Sequence, residues 1–233
     1  MKALYIIKDI IKRKIIDLGR RSGRLKTPMD MVILSLKAYK LLPANLTALE
    51  VFGMHGLWIT YDYANLCDYL ELWEVNPMYA KYAKKFLPMA TVRVGDSIEA
   101  ANKGNLLRND YNFVVIDNPI SGPYNSEKYC EHFDLFPALL ERIADKTVFI
   151  MNTVLDMEKI AIRYPSLAFQ EWTIRRKKFY EIQNDDEVKK IQVETLVDIY
   201  RNKFNKWAVD VNYILFIPRD DCVGFLVVAV NKR

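Results

Sequence analysis

The chain has 233 residues, 51% of them apolar and 27% charged, a balance that predicts one sizeable globular core and excludes a disordered or fibrous chain. Two histidines and three widely spaced cysteines, Cys67, Cys130 and Cys222, exclude a disulfide framework and a Cys/His metal centre and leave no Ser/His/Asp triad, so the thiols are expected reduced and no metal is expected. The net charge of +5 is local: residues 1–40 hold eleven Lys and Arg against three Asp, or +8, while the remainder carries 23 basic against 26 acidic residues, which marks either an anionic partner such as nucleic acid or a solvated helix face.

At the N-terminus Leu4, Ile7, Ile11, Ile15 and Leu18 follow helical spacing and predict a basic amphipathic helix ended by Gly19, Ser22 and Gly23. Lys8, Lys12, Arg13 and Lys14 stand where a signal peptide needs its apolar region, and no stretch reaches the roughly 20 apolar residues of a membrane span, so a cytoplasmic location is expected. Thr27 as N-cap, Pro28 at the first helical position and Asp30 in the first turn predict a second helix running to Pro43. The two helices form an expected extension, residues 1–44, that covers part of the core or captures substrate.

From residue 47 short apolar runs alternate with helical stretches: TALEVFG, YLELWEV, ATVRVGD, YNFVVID and KTVFIMN read as parallel strands, with helices in NPMYAKYAKKFLP and SEKYCEHFDLFPALLERIA. Residues 156–207 read as a helical insertion, and VNYILFIPR with VGFLVVAVNKR reads as a closing antiparallel hairpin. The predicted fold is α/β, a doubly wound, mostly parallel seven-stranded sheet with a C-terminal antiparallel hairpin and an N-terminal helical extension; residues 45–233 are its Rossmann-like domain.

In such sheets ligands lie beyond the carboxyl ends of the strands, near the point where strand order reverses. The first run ends in Glu50-Val51-Phe52-Gly53-Met54-His55-Gly56, whose glycines allow a tight turn near a ligand. The second ends in Glu74-Val75, a carboxylate about 20 residues past the turn and suited to ribose hydroxyls. The third ends in Asp96-Ser97, where Asp96 can accept from an adenine amino group, and the fourth in Asp117-Asn118-Pro119. Each acid alone is more readily a helix cap or turn residue; four successive strands ending this way favour a nucleotide-like ligand.

The stretch Glu50–Gly56 resembles the first motif of class I S-adenosylmethionine-dependent methyltransferases, (D/E)-hydrophobic-F-A-G-(S/T)-G, in its acidic, aromatic and final glycine positions. The resemblance covers roughly residues 45–155 and the hairpin at 209–233. It implies S-adenosylmethionine as cofactor, held by Glu50, Phe52, Gly53, Met54, His55 and Gly56 around its methionine and ribose, by Glu74 at the ribose hydroxyls, and by Val75, Asp96 and Ser97 at the adenine. Asp117, Asn118 and Pro119 then take the catalytic position, similar to the D-P-P-(Y/F) motif of base-amine methyltransferases. Met54 stands at a glycine of the family pattern, Asn118 at a proline and Ile120 at the aromatic, with Tyr124 as another source of stacking. The implied acceptor is RNA or DNA met by the basic N-terminal helix, or a small metabolite or glycan enclosed by the extension and the 156–207 insertion. The alternative is a methyltransferase-fold binding or assembly module without catalysis. A nicotinamide oxidoreductase fits less well because G-x-G-x-x-G is missing.

Overall fold

The computed structural model describes residues 2–21, 26–117, 131–164 and 169–233; Asn118, Pro119, Ile120, Tyr124 and Cys130, and the helix end at Ser22 and Gly23, lie outside the described residues. The strands are β1 (Leu46–Glu50), β2 (Cys67–Glu74), β3 (Thr91–Val94), β4 (Tyr111–Ile116), β5 (Ile143–Val154), β6 (Val209–Pro218) and β7 (Val223–Lys232). The helices are α1 (Lys2–Arg21), α2 (Pro28–Ala38), α3 (Ile59–Tyr63), α4 (Pro77–Phe86), α5 (Ser97–Asn102), α6 (Met157–Arg163), α7 (Phe169–Tyr180), α8 (Asp185–Lys189) and α9 (Val193–Lys206).

All seven strands form one sheet in the order β3-β2-β1-β4-β5-β7-β6. Strands β1 to β5 pair in parallel, and β7 runs antiparallel between β5 and β6. The predicted fold class is therefore what the chain adopts. Its interior strands read as unbroken apolar runs because both faces are covered, and successive side chains point to opposite layers. In β4, Phe113 and Val115 enter one core with α2 and α4, while Val114 and Ile116 enter the other with α5 and α9.

Helix α2 starts as predicted: Asp30 N–H donates to Thr27 Oγ1 at 3.1 Å and Thr27 N–H to the Asp30 carboxylate at 2.7 Å, a reciprocal capping box. It ends at Ala38, ahead of Pro43, and buries Met29, Val32, Ile33 and Leu36.

Two expectations are corrected. No long helix fills the described part of 126–144: Phe133–Leu135 and Ala138–Arg142 form short 3-10 turns, and β5 already begins at Ile143. Pro137 lacks the N–H a helix needs there, and Phe136 before it is extended, the conformation a following proline favours. The second concerns α1 alone, since α2 of the same extension does cover the core. The apolar stripe of α1 does not cover the core: Ile7, Ile11, Ile15 and Leu18 are exposed, and the opposite face, centred on Arg13, docks. Cys67 and Cys222 are free thiols. Among the described residues no helix is long and apolar enough to cross a membrane.

Candidate functional site

Strand order reverses between β1 and β4, and the turn after β1 opens there. Val51 N–H still bonds Val115 of β4 at 3.1 Å, whereas Gly53 N–H bonds Trp73 of β2 at 2.9 Å. The turn is held tight by Gly56 N–H on the Gly53 carbonyl, with Gly56 at φ 75° and Met54 at φ 44°. A Cβ at Gly53 would fall 2.2 Å from Leu72, so this glycine is required where the turn rests on β2.

Glu50, the last residue of β1, is 1% exposed and accepts from Tyr63 Oη at 2.7 Å and Thr60 Oγ1 at 3.2 Å. Burial pushes its carboxyl well above the ordinary range, and the nearby Asp117 charge adds to the rise; the hydrogen bonds, including one from the Asp117 amide, only partly offset it. Asp117, directly after β4, pairs with Arg219 from the turn between β6 and β7, whose guanidinium lies 4.7 Å from the Phe225 ring centroid.

At the end of β2, Glu74 accepts from Asn76 N–H at 2.7 Å and from the Met54 backbone amide. Its pKa is raised by burial against those two bonds. The carboxylate therefore faces the glycine turn, and Val75 beside it is 55% exposed. Asp96 is the N-cap of α5, its Oδ1 accepting from Ile98 and Glu99 amides at 2.9 and 3.1 Å, and Ser97 is buried as the first helical residue. Phe52 packs partly buried against the α5 and α9 core.

His55 is 1% exposed and turns to α1, where its Nε2 lies 2.8 Å from Asp9 Oδ2. Arg13 completes that dock with an ion pair to Asp62 at 2.5 Å, to which Thr27 Oγ1 also donates at 2.7 Å. Between α1, α2 and the turn lies a cavity of about 280 Å³ whose lining includes Lys12, Arg13, Trp58, Asp62 and Arg219. Sequence reasoning missed Arg219, Arg13 and Tyr63. Arg219 and Asp117 are 102 positions apart, and no local pattern pairs them.

The arrangement thus brings Glu50 to Asp117 and Glu74 to Met54 across neighbouring strand ends, while His55 faces α1 and Asn118 and Pro119 lie outside the described residues.

Solved structures share this architecture. The plantazolicin methyltransferase BamL, in complex with SAH and a triazolic desmethylPZN analog, superposes with a TM-score of 0.57 at 10% identity, over 97% of this chain and 90% of its own. A TehB-like SAM-dependent methyltransferase from Corynebacterium glutamicum gives 0.51 at 10% identity over 97% and 99%. Magnesium protoporphyrin IX methyltransferase from Synechocystis, with bound SAH, gives 0.50 at 13% identity over 94% and 86%. No family model matches the chain, and no curated protein matches it in sequence. The fold is that of the class I S-adenosylmethionine-dependent methyltransferases.

Proposed function

We propose that the chain is an S-adenosylmethionine-dependent methyltransferase acting on a small acceptor held between α1, α2 and the β6–β7 turn. The observation that carries this reading is the Glu74 carboxylate, placed at the end of β2 against the Met54 amide of the glycine turn. The residues there fit a nucleoside cofactor. Glu74 offers acceptors to a ribose diol, exposed Val75 an apolar wall to a purine, and Asp96 a second carboxylate oxygen to an amino group. The turn from Glu50 through Phe52, Gly53, Met54, His55 and Gly56 then borders the methionine end and ribose, with Ser97 beside Asp96 on the adenine side. The cofactor supplies an electrophilic methyl carbon on a sulfonium, so the work left to the protein is alignment.

Asp117, with Asn118 and Pro119, takes the acceptor side in this reading. The Arg219 pair holds Asp117 beside the cavity that Arg219 also lines, where the carboxylate orients a donor group of the acceptor or receives its proton. Lys12, Arg13, Trp58 and Arg219 suit a small acceptor with an acidic or planar group. A nucleic-acid acceptor is supported less well by α1, whose solvent-facing centre is apolar. The division into an extension, residues 1–44, and a transferase domain, residues 45–233 with helices inserted at about 156–207, belongs to the same proposal.

Calorimetric titration of protein cleared of carried-over ligand tests it. S-adenosylmethionine and S-adenosylhomocysteine should bind at micromolar Kd, about −8 kcal/mol. Glu74→Ala should lose about 1.5–3 kcal/mol of that, the worth of hydrogen bonds to a charged acceptor, and Asp117→Ala should lower turnover more than affinity. Unchanged affinity in Glu74→Ala rejects the site. Absence of binding at millimolar ligand favours the second reading, a binding module without catalysis, which is motivated by the Met54 side chain carried at positive φ in the turn.

A further inference from the structure

We propose that α1 is an interfacial helix that seats the protein on an anionic lipid bilayer. A surface helix of a globular protein ordinarily buries its apolar stripe and exposes its charged face. Helix α1 does the reverse. Ile7, Ile11, Ile15 and Leu18, spaced to fall on one face, are 53%, 55%, 64% and 66% exposed, whereas Arg13 on the opposite face is 5% exposed. The polar face is fixed to the body by named pairs: Asp9 with His55, and Arg13 with Asp62 and with the carbonyls of Leu57 and Trp58. The outward stripe is thus held in place by the dock beneath it.

The charges beside the stripe select the occupant. Lys8 lies along one edge and Lys14 along the other, both exposed, within a segment whose first 40 residues carry eleven basic and three acidic side chains. A second copy of the chain would set these lysines against their own kind. Nucleic acid would place phosphates over four aliphatic side chains that offer them no donor. An anionic bilayer satisfies both features: the aliphatic groups enter the acyl boundary while the flanking ammonium groups reach the headgroups. The 20 residues of α1, about 30 Å long, then lie along the surface rather than through it. This proposal stands apart from the transferase reading, because the side chains that would meet the bilayer, Ile7, Ile11, Ile15 and Leu18 with Lys8 and Lys14, line neither the acceptor cavity nor the glycine turn.

Flotation of the full chain with vesicles tests it. Vesicles of phosphatidylcholine containing a minority of phosphatidylglycerol should carry the protein, and pure phosphatidylcholine should carry roughly tenfold less. The Ile11→Glu/Ile15→Glu variant should lose flotation by roughly tenfold or more while its thermal midpoint stays unchanged, since both positions face solvent. Lys8→Glu/Lys14→Glu should weaken binding to the anionic vesicles and leave the residual binding to neutral ones. The proposal is overturned if the wild-type chain fails to float with anionic vesicles, or if Ile11→Glu/Ile15→Glu floats as well as wild type. It is equally overturned if sedimentation finds a dimer that this double variant dissolves without any vesicle binding.

Discussion

At the residue scale, Glu50 couples the glycine turn to pH. Burial raises its carboxyl well above the ordinary value of 4.5. Between that ordinary value, which the unfolded chain keeps, and the folded value, the unfolded state has released a proton that the native state still holds. Stability from this group is therefore complete at low pH and is lost as pH rises through the folded pKa, at about 1.4 kcal/mol per pH unit. Glu50→Gln copies the protonated form and can still accept from Tyr63 and Thr60, so its unfolding free energy should lack this fall from pH 5 upward. Denaturant titrations at several pH values check it, and parallel curves for the two proteins would exclude the assignment. The acids at the strand ends were legible in the sequence because each closes an apolar run. What each carboxylate bonds was not: Tyr63 reaches Glu50 from α3, and Arg219 reaches Asp117 from a distant hairpin.

At the element scale, α7 is anchored by a buried cation as well as by its buried aromatics Trp172 and Tyr180. Arg176 is 0% exposed, lies 3.2 Å from Glu131 and donates to the Val154 carbonyl at 3.0 Å, while Trp172 and Tyr180 of the same helix also donate to Glu131. Nearby His132 is pushed down to about 3, by burial first and by Arg176 second, and so is neutral beside Tyr200. Arg176→Met leaves a buried acid without its cation and should cost about 3–5 kcal/mol, whereas Glu131→Gln with Arg176→Met should recover much of the loss. Chemical unfolding of the three variants measures the coupling. Periodicity identified α1 as a helix and the Thr27-Pro28-Asp30 start identified α2, but period alone does not say which face docks. In α1 the face that docks is the one carrying the Arg13–Asp62 pair, not the apolar stripe. The expected helix over 126–144 failed at Pro137, whose effect on the ladder outweighs the helical spacing of its neighbours.

At the scale of the whole molecule, the sheet's hidden strands were the most legible part, since burial on both faces leaves a mark that short half-buried strands do not. Strand β3 shows the contrast: only Val92 of its four residues is buried, and Arg93 interrupts the short apolar run that marks it. Amide exchange should follow the same gradient. The amides of β4, β5 and β7, whose side chains fill both cores, should exchange only at the rate of global unfolding. Those of α1, held by a few ion pairs with its apolar side exposed, should exchange orders of magnitude faster. Equal protection in α1 and β5 would contradict this ranking.

The placement of β7 between β5 and β6 also matters during synthesis. β5 leaves the ribosome well before its antiparallel neighbour, because α6 to α9 and β6 are made in between. Throughout that interval the β5 edge has backbone donors and acceptors with no partner, and β6 has no strand on which to pair. The nascent chain therefore carries an open apolar sheet edge until residues 223–232 emerge. This is the stage at which chaperone capture would have most to protect.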